Sequence, residues 1–111
     1  MPFYMFQARY TPEAIGSLIK DPSDREAAAR PLIEALGGTL HNMFFAMGSE
    51  DVVAIIEAPD DKAMVAGSMA VGASGAFSGG SITKLMTVGE AMEAMAIAGK
   101  VTGAYSAPTS G

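Results

Sequence analysis

The strongest pattern in the chain lies at residues 39–60, TLHNMFFAMGSEDVVAIIEAPD, where two apolar runs flank the polar segment Gly48, Ser49, Glu50 and Asp51. That is the signature of a β-hairpin with a four-residue loop. Both runs carry large apolar side chains at adjacent positions: Phe44 beside Phe45, Val52 beside Val53, Ile55 beside Ile56. A strand with one wet face alternates apolar and polar residues, and these do not. Both faces of the hairpin therefore require cover, and a homo-oligomer, dimer or higher, joined through the sheet face is expected.

Upstream, Tyr4, Phe6, Ala8 and Tyr10 alternate with Phe3, Met5, Gln7 and Arg9, which predicts a first strand over 3–10. Thr11 and Pro12 read as the N-cap and first residue of a short helix with Ile15, Leu18 and Ile19 on its apolar stripe. Ser23 and Glu26 read as a capping box for a second helix, whose stripe is Ala29, Leu32, Ile33 and Leu36 and which stops at Gly37 and Gly38. Pro31 falls inside that helix and predicts a kink or a fresh helix start there. After the hairpin, Pro59 and Asp60 open a helix expected to reach Phe77, with Ala66, Met69, Ala70, Ala73 and Phe77 facing the core. A last strand is expected over 81–87, and Thr87 with Glu90 forms a capping box for a C-terminal helix through Ala98. Residues 1–99 thus read as one domain and 100–111 as a flexible or partner-contacting tail. The order β-α-β-β-α-β with an appended helix predicts an α+β, ferredoxin-like fold: an antiparallel sheet with helices on one face.

Composition then narrows the function classes. A chain of 111 residues is long enough to bury a core without staples, which suits the absence of cysteine. A single histidine and no cysteine argue against a metal site, and no motif implies a cofactor. The net charge of −5 argues against nucleic acid as a partner. Residues 63–83 are free of charge but are mostly Ala, Gly and Ser, so a helix packed closely on a sheet is expected there and not a membrane span. With no basic, apolar leader at the N-terminus, the expected location is the cytoplasm.

Several segments together resemble the GYD family, small bacterial and archaeal proteins of mostly unassigned function. They are Arg9-Tyr10-Thr11-Pro12-Glu13, Ala35-Leu36-Gly37-Gly38, the loop from Gly48 to Asp51, Glu57-Ala58-Pro59-Asp60-Asp61, and Gly103-Ala104-Tyr105. The resemblance implies a ferredoxin-like domain of the dimeric α/β-barrel type, in which sheets from two subunits face each other. One departure is visible: the family loop is typically Gly-x-Tyr-Asp, and Glu50 stands where that tyrosine would be. A ligand site using that tyrosine would be altered here.

Pairing the hairpin around Gly48–Asp51 places Met47 opposite Val52, Phe45 opposite Ala54, Met43 opposite Ile56 and Asn42 opposite Glu57. With the first strand beside the third, Gln7, Arg9, Asn42 and Glu57 are expected to converge on the face away from the helices. An ion pair between Arg9 and Glu57 under a subunit interface is the plainer reading of that group. The functional one is a small-molecule pocket between sheets, with Glu57 as base or acceptor and Arg9 holding an anion. Three classes stay open: a domain binding a small apolar or weakly anionic molecule, a cofactor-independent isomerase or monooxygenase, and a purely structural or interaction module. His41, without a triad partner, and Asp51, expected to cap its own turn, are weaker candidates. Pro2 would matter only as an exposed N-terminal amine.

Overall fold

The computed structural model describes residues 1–109. Its elements are β1 (Phe3–Tyr10), α1 (Pro12–Lys20), α2 (Arg25–Ala35), β2 (Thr39–Phe45), β3 (Val52–Glu57), α3 (Asp61–Ala73), β4 (Phe77–Leu85) and α4 (Val88–Val101), followed by a 3-10 turn at Thr102–Ala104. The four strands form one antiparallel sheet in the order β2-β3-β1-β4, the expected ferredoxin-like arrangement. Strand alternation sorts the two faces. Tyr4, Ala8 and Tyr10 of β1 and Val52, Ala54 and Ile56 of β3 are buried under the helices with Leu40, Ile33 and Met64. Each such side chain contributes about 1.5–3 kcal/mol through its burial when it is Val, Leu, Ile or Met sized.

Local signals fix several ends. Thr11 caps α1 by accepting from the Ala14 amide, and Pro12 follows it at the first helical position. The Thr87–Glu90 capping box opens α4, which continues past the expected end at Ala98 to Val101. The N-cap of α2 is Asp24, which accepts from the Ala27 amide, in place of Ser23. Glu26 instead pairs with Arg30 one turn on, at 2.7 Å. Pro31 sits within a continuous α2 and is exposed. Replacing it by alanine restores a backbone donor, a gain of ~3 kcal/mol in propensity less ~1 kcal/mol for the freer unfolded chain. Pro31→Ala should therefore raise the melting temperature; a drop would show that the proline is fitted to its site.

Three sequence expectations are corrected. The face of α3 that meets the sheet carries Met64 and Gly67, both buried, while Ala66, Met69, Ala70 and Ala73 lie away from that buried face. A helix built largely of Ala, Gly and Ser has small side chains all round, so its apolar stripe is poorly marked. It also ends early, at a glycine with positive φ (Gly75, +76°), and Phe77 begins β4. Gly79 and Gly80, which precede the expected strand start at residue 81, lie within that strand: a Cβ at Gly80 would collide with the Gln7 carbonyl of the neighbouring strand.

The third correction is the hairpin register. The ladder pairs Phe45 with Val52, Met43 with Ala54, Asn42 with Ile55, Leu40 with Ile56 and Thr39 with Glu57. The loop is longer than four residues, closed by the Ala46 amide donating to the Asp51 carbonyl at 2.8 Å. A bulge between Leu40 and Asn42 then inserts His41 as the extra residue. Leu40 is buried in the core, and Met47 is fully exposed at the loop.

One polar cluster ties the sheet to α3. The Tyr4 hydroxyl donates to Asp61 Oδ1, and Lys84 Nζ reaches the same oxygen at 2.9 Å. The Tyr4 phenol is pushed up to about 12, first by burial and then by its bond to Asp61 and the negative charge there. Asp61 is held below its ordinary value, chiefly by the Tyr4 bond and then by Lys84. Because the fold favours the neutral phenol, Tyr4's contribution to stability is present below about pH 10. It is lost as the pH climbs from there through about 12. In an alkaline spectrophotometric titration Tyr4 should resist ionisation until the protein unfolds. Ionisation of Tyr4 at about pH 10 in the folded protein would contradict this.

Candidate functional site

The sheet face turned away from the helices is built by the alternate residues of each strand. Phe3, Met5, Gln7 and Arg9 of β1 lie between Val53, Ile55 and Glu57 of β3 and Ser81, Thr83 and Leu85 of β4. Asn42 and Phe44 of β2 complete the face beyond β3. Its middle is largely apolar but is broken by Gln7 of β1 and by Ser81 and Thr83 of β4, and Phe44 is 60 % exposed in the single chain.

All four principal candidates share this face, but they do not converge on one point. Glu57 lies opposite Phe3, at the start of β1, and Arg9 lies at its other end. Strand rise over that stretch puts them about 20 Å apart. The expected Arg9–Glu57 ion pair therefore does not form. Antiparallel pairing is the reason: the end of β3 meets the beginning of β1. Glu57 instead meets His41, Nε2 to Oε1 at 2.9 Å, a contact made possible by the bulge that brings His41 to this face. The imidazole also leans on Phe3, with ring centres 5.4 Å apart. Asn42 sits opposite Ile55, near this end, and Gln7 stands mid-sheet between Val53 and Ser81.

At the far end, Arg9 Nη1 lies 3.3 Å from Glu50 Oε1 and 3.5 Å from the Ser49 carbonyl. Glu50, which stands at the tyrosine position of the family loop, is thus part of the polar group at this end. Its other carboxylate oxygen is buried and has no hydrogen-bond partner among the described residues. Sequence reading took Glu50 only as a departure that alters a family ligand site. The clue to more was its place in a loop that must abut the end of β1, where Arg9 lies. Asp51 does not cap its own turn: its Oδ2 accepts from the Tyr10 amide of β1 at 2.9 Å, while its own amide donates to the Ala8 carbonyl.

The helix side holds a feature that sequence reading missed. Between the sheet, α2 and α3 lies a cavity of about 380 Å³ walled by Phe6, Leu32, Leu36, Met43 and Val71, with Arg25 and Ser68 among its few polar residues. Small side chains on α3 leave this gap. Among the described residues, no helix is long and apolar enough to cross a membrane, and no cluster of three or more His, Cys, Asp or Glu side chains is placed to hold a metal ion.

These features define a small ferredoxin-like α+β domain whose open sheet face carries two separate polar ends. The GYD domain model matches residues 4–95, so the chain belongs to the GYD domain family. Among solved structures it is similar to the crystal structure of MtbAldR, with a TM-score of 0.56 at 15 % identity over 78 % of this chain. The chain spans about half of that protein, 53 % of its length, and the likeness is one of fold. No curated protein matches.

Proposed function

We propose that this chain is a small-molecule-binding domain that works as a homo-oligomer, its ligand held against the open sheet face. The observation that supports this reading is the composition of that face: Met5, Val53, Ile55 and Phe44 around the single amide of Gln7, with polar groups at both ends. An apolar surface of this kind is unusual on a soluble monomer, and a second subunit would both cover it and close a pocket over it. The ligand class is a small apolar molecule with one anionic or hydrogen-bonding group. Arg9 would hold an anion, Gln7 and Asn42 would orient polar atoms, and Glu57 would accept a donor.

A second reading has its own support. The His41–Glu57 contact is a base–carboxylate pair of the kind that performs proton transfer, here beside an aromatic ring and an apolar floor. On that reading the domain is a cofactor-independent isomerase or monooxygenase.

The test is a thermal-shift and calorimetric survey with small apolar carboxylates and amides, benzoate and hexanoate among them. A binder whose effect is lost in Arg9→Met or Glu57→Gln, with the oligomer intact, supports the proposal. Binding untouched by both substitutions, or an assembly whose sheet faces pack dry against each other, would reduce the face to a structural interface.

A further inference from the structure

Two arginines of this domain are paired with glutamates, and they are used differently. Arg30 gives one Nη to Glu26 and the other to the Leu40 carbonyl, so both ends of its guanidinium are tied to the fold. Arg9 is engaged through Nη1 alone, which faces Glu50 Oε1 at 3.3 Å and the Ser49 carbonyl at 3.5 Å. Its Nη2 and Nε have no acceptor among the described residues, and the side chain is half exposed. Glu50 accounts for this one-sided grip. Its Oε2 is buried without a partner among the described residues, so only Oε1 is presented to Arg9. A carboxylate free to turn would bring both oxygens to the guanidinium in the usual bidentate fork. Glu50 holds the arginine by one nitrogen and leaves the rest of the fork unclaimed.

Gly79 completes the arrangement, opposite Arg9 in β4. Its φ is not positive, so the backbone itself excludes no residue there. Space is what a side chain would lack: a Cβ at this position would stand 3.1 Å from Arg9 Nη2. A glycine inside a strand weakens it and marks a close approach, and here the approaching group is the guanidinium. The arginine therefore reaches from the Ser49–Glu50 loop on one side to the bare backbone of β4 on the other. Its unclaimed edge is Nε with Nη2, parallel N–H groups whose spacing matches the oxygens of a carboxylate. A fork already held in place loses less side-chain freedom on binding than a loose one. From Arg9 the open face continues through Val53 to Met5 and Ile55, an apolar floor for the rest of a ligand.

We propose that Glu50 and Gly79 set Arg9 as a side-on carboxylate clamp, and that the ligand of the open face is a monocarboxylate whose apolar body lies towards Met5 and Ile55. Arg9 touches the ligand, Glu50 is a positioning residue acting through Arg9, and Gly79 keeps clear the space that the guanidinium occupies. The proposal rests on the reading of the open face as a ligand site and adds which anion it takes and by which atoms.

Isothermal calorimetry with benzoate and benzamide on full-length variants gives the test. Wild type should bind benzoate about tenfold or more tighter than benzamide, which has the same ring and no charge. Arg9→Lys keeps the charge but loses the fork, and should weaken benzoate by about tenfold or more. Gly79→Val should weaken it to a similar degree with the melting temperature held or raised, since valine suits a strand better than glycine. Glu50→Gln and Glu50→Ala remove the same charge, and only the first keeps an oxygen for Nη1. Benzoate should therefore bind Glu50→Gln about fivefold or more tighter than Glu50→Ala. Benzamide bound as well as benzoate would overturn the clamp. So would benzoate binding that is unchanged in Arg9→Lys, untouched by Gly79→Val, or equal in the two Glu50 variants. If Arg9→Met abolishes benzoate binding and Arg9→Lys does not, the open face stands as a ligand site and the clamp alone fails. A wild type that binds no probe, carboxylate or amide, removes the ligand site itself and the clamp with it.

Discussion

If the sheet face joins subunits as proposed, Ile55→Lys is expected to convert the assembly to a smaller species while leaving the domain folded, and Ile56→Ala, one residue along, is expected to do the reverse. Ile56 is buried with Tyr4, Leu40 and Met64. Cutting it to alanine removes packed methyl groups and leaves a void, at about 2–5 kcal/mol. Against a typical stability of about 5–15 kcal/mol for a whole domain, that is a large fraction. The melting temperature should fall by on the order of 10 °C. Ile55 faces the open side of the sheet, opposite Met5 and Asn42. In a single chain a lysine there keeps its charge in water and costs little, within about 0.5 kcal/mol. Between two facing sheets the same lysine is an unpaired buried charge, and removing water from it costs several kcal/mol. Urea denaturation and light scattering at micromolar concentration separate the two effects. A wild-type protein that is already monomeric, or an assembly indifferent to Ile55→Lys, would remove the sheet face from the interface.

How much of this was legible in the sequence depends on the range of the forces involved. The caps at Thr11 and Thr87 are satisfied by amides three residues away, so residue type and spacing suffice to read them. The alternation of β1 and the doubly apolar hairpin likewise give the sheet and its two faces. The bulge at His41 left no such mark, because it is set by how β2 fits against β3. It puts Leu40 in the core and turns His41 towards Glu57 on the open face. The α3 stripe was obscured for a different reason: with small side chains all round, the buried side was chosen by the cleft and the sheet. The separation of Arg9 from Glu57 was available in principle. Once β1 and β3 are neighbours running in opposite directions, the last residue of one must lie near the first residue of the other.

Asp51→Ala should destabilise the domain by about 1–3 kcal/mol, because it removes the acceptor of the Tyr10 amide. Tyr10 is buried, and this amide lies where the pairing of β1 with β3 has ended and the pairing with β4 is irregular. No strand is positioned to replace the lost acceptor. The backbone of Asp51 makes two further bonds, its amide to the Ala8 carbonyl and its carbonyl to the Ala46 amide, so the whole loop is anchored at this residue. Asp51→Asn keeps a side-chain oxygen and should cost clearly less than alanine. Glu50 differs in kind. Its link to Arg9 is half exposed on the arginine side and worth at most ~1 kcal/mol, so Glu50→Tyr, which restores the usual family loop, should be nearly neutral for folding. Equilibrium unfolding of the three variants, with amide exchange read at Tyr10, provides the check. An Asp51→Ala protein that is as stable as wild type, with Tyr10 still protected, would mean that the acidic residue closing this loop is kept for chemistry at the site and not for holding β1 in place.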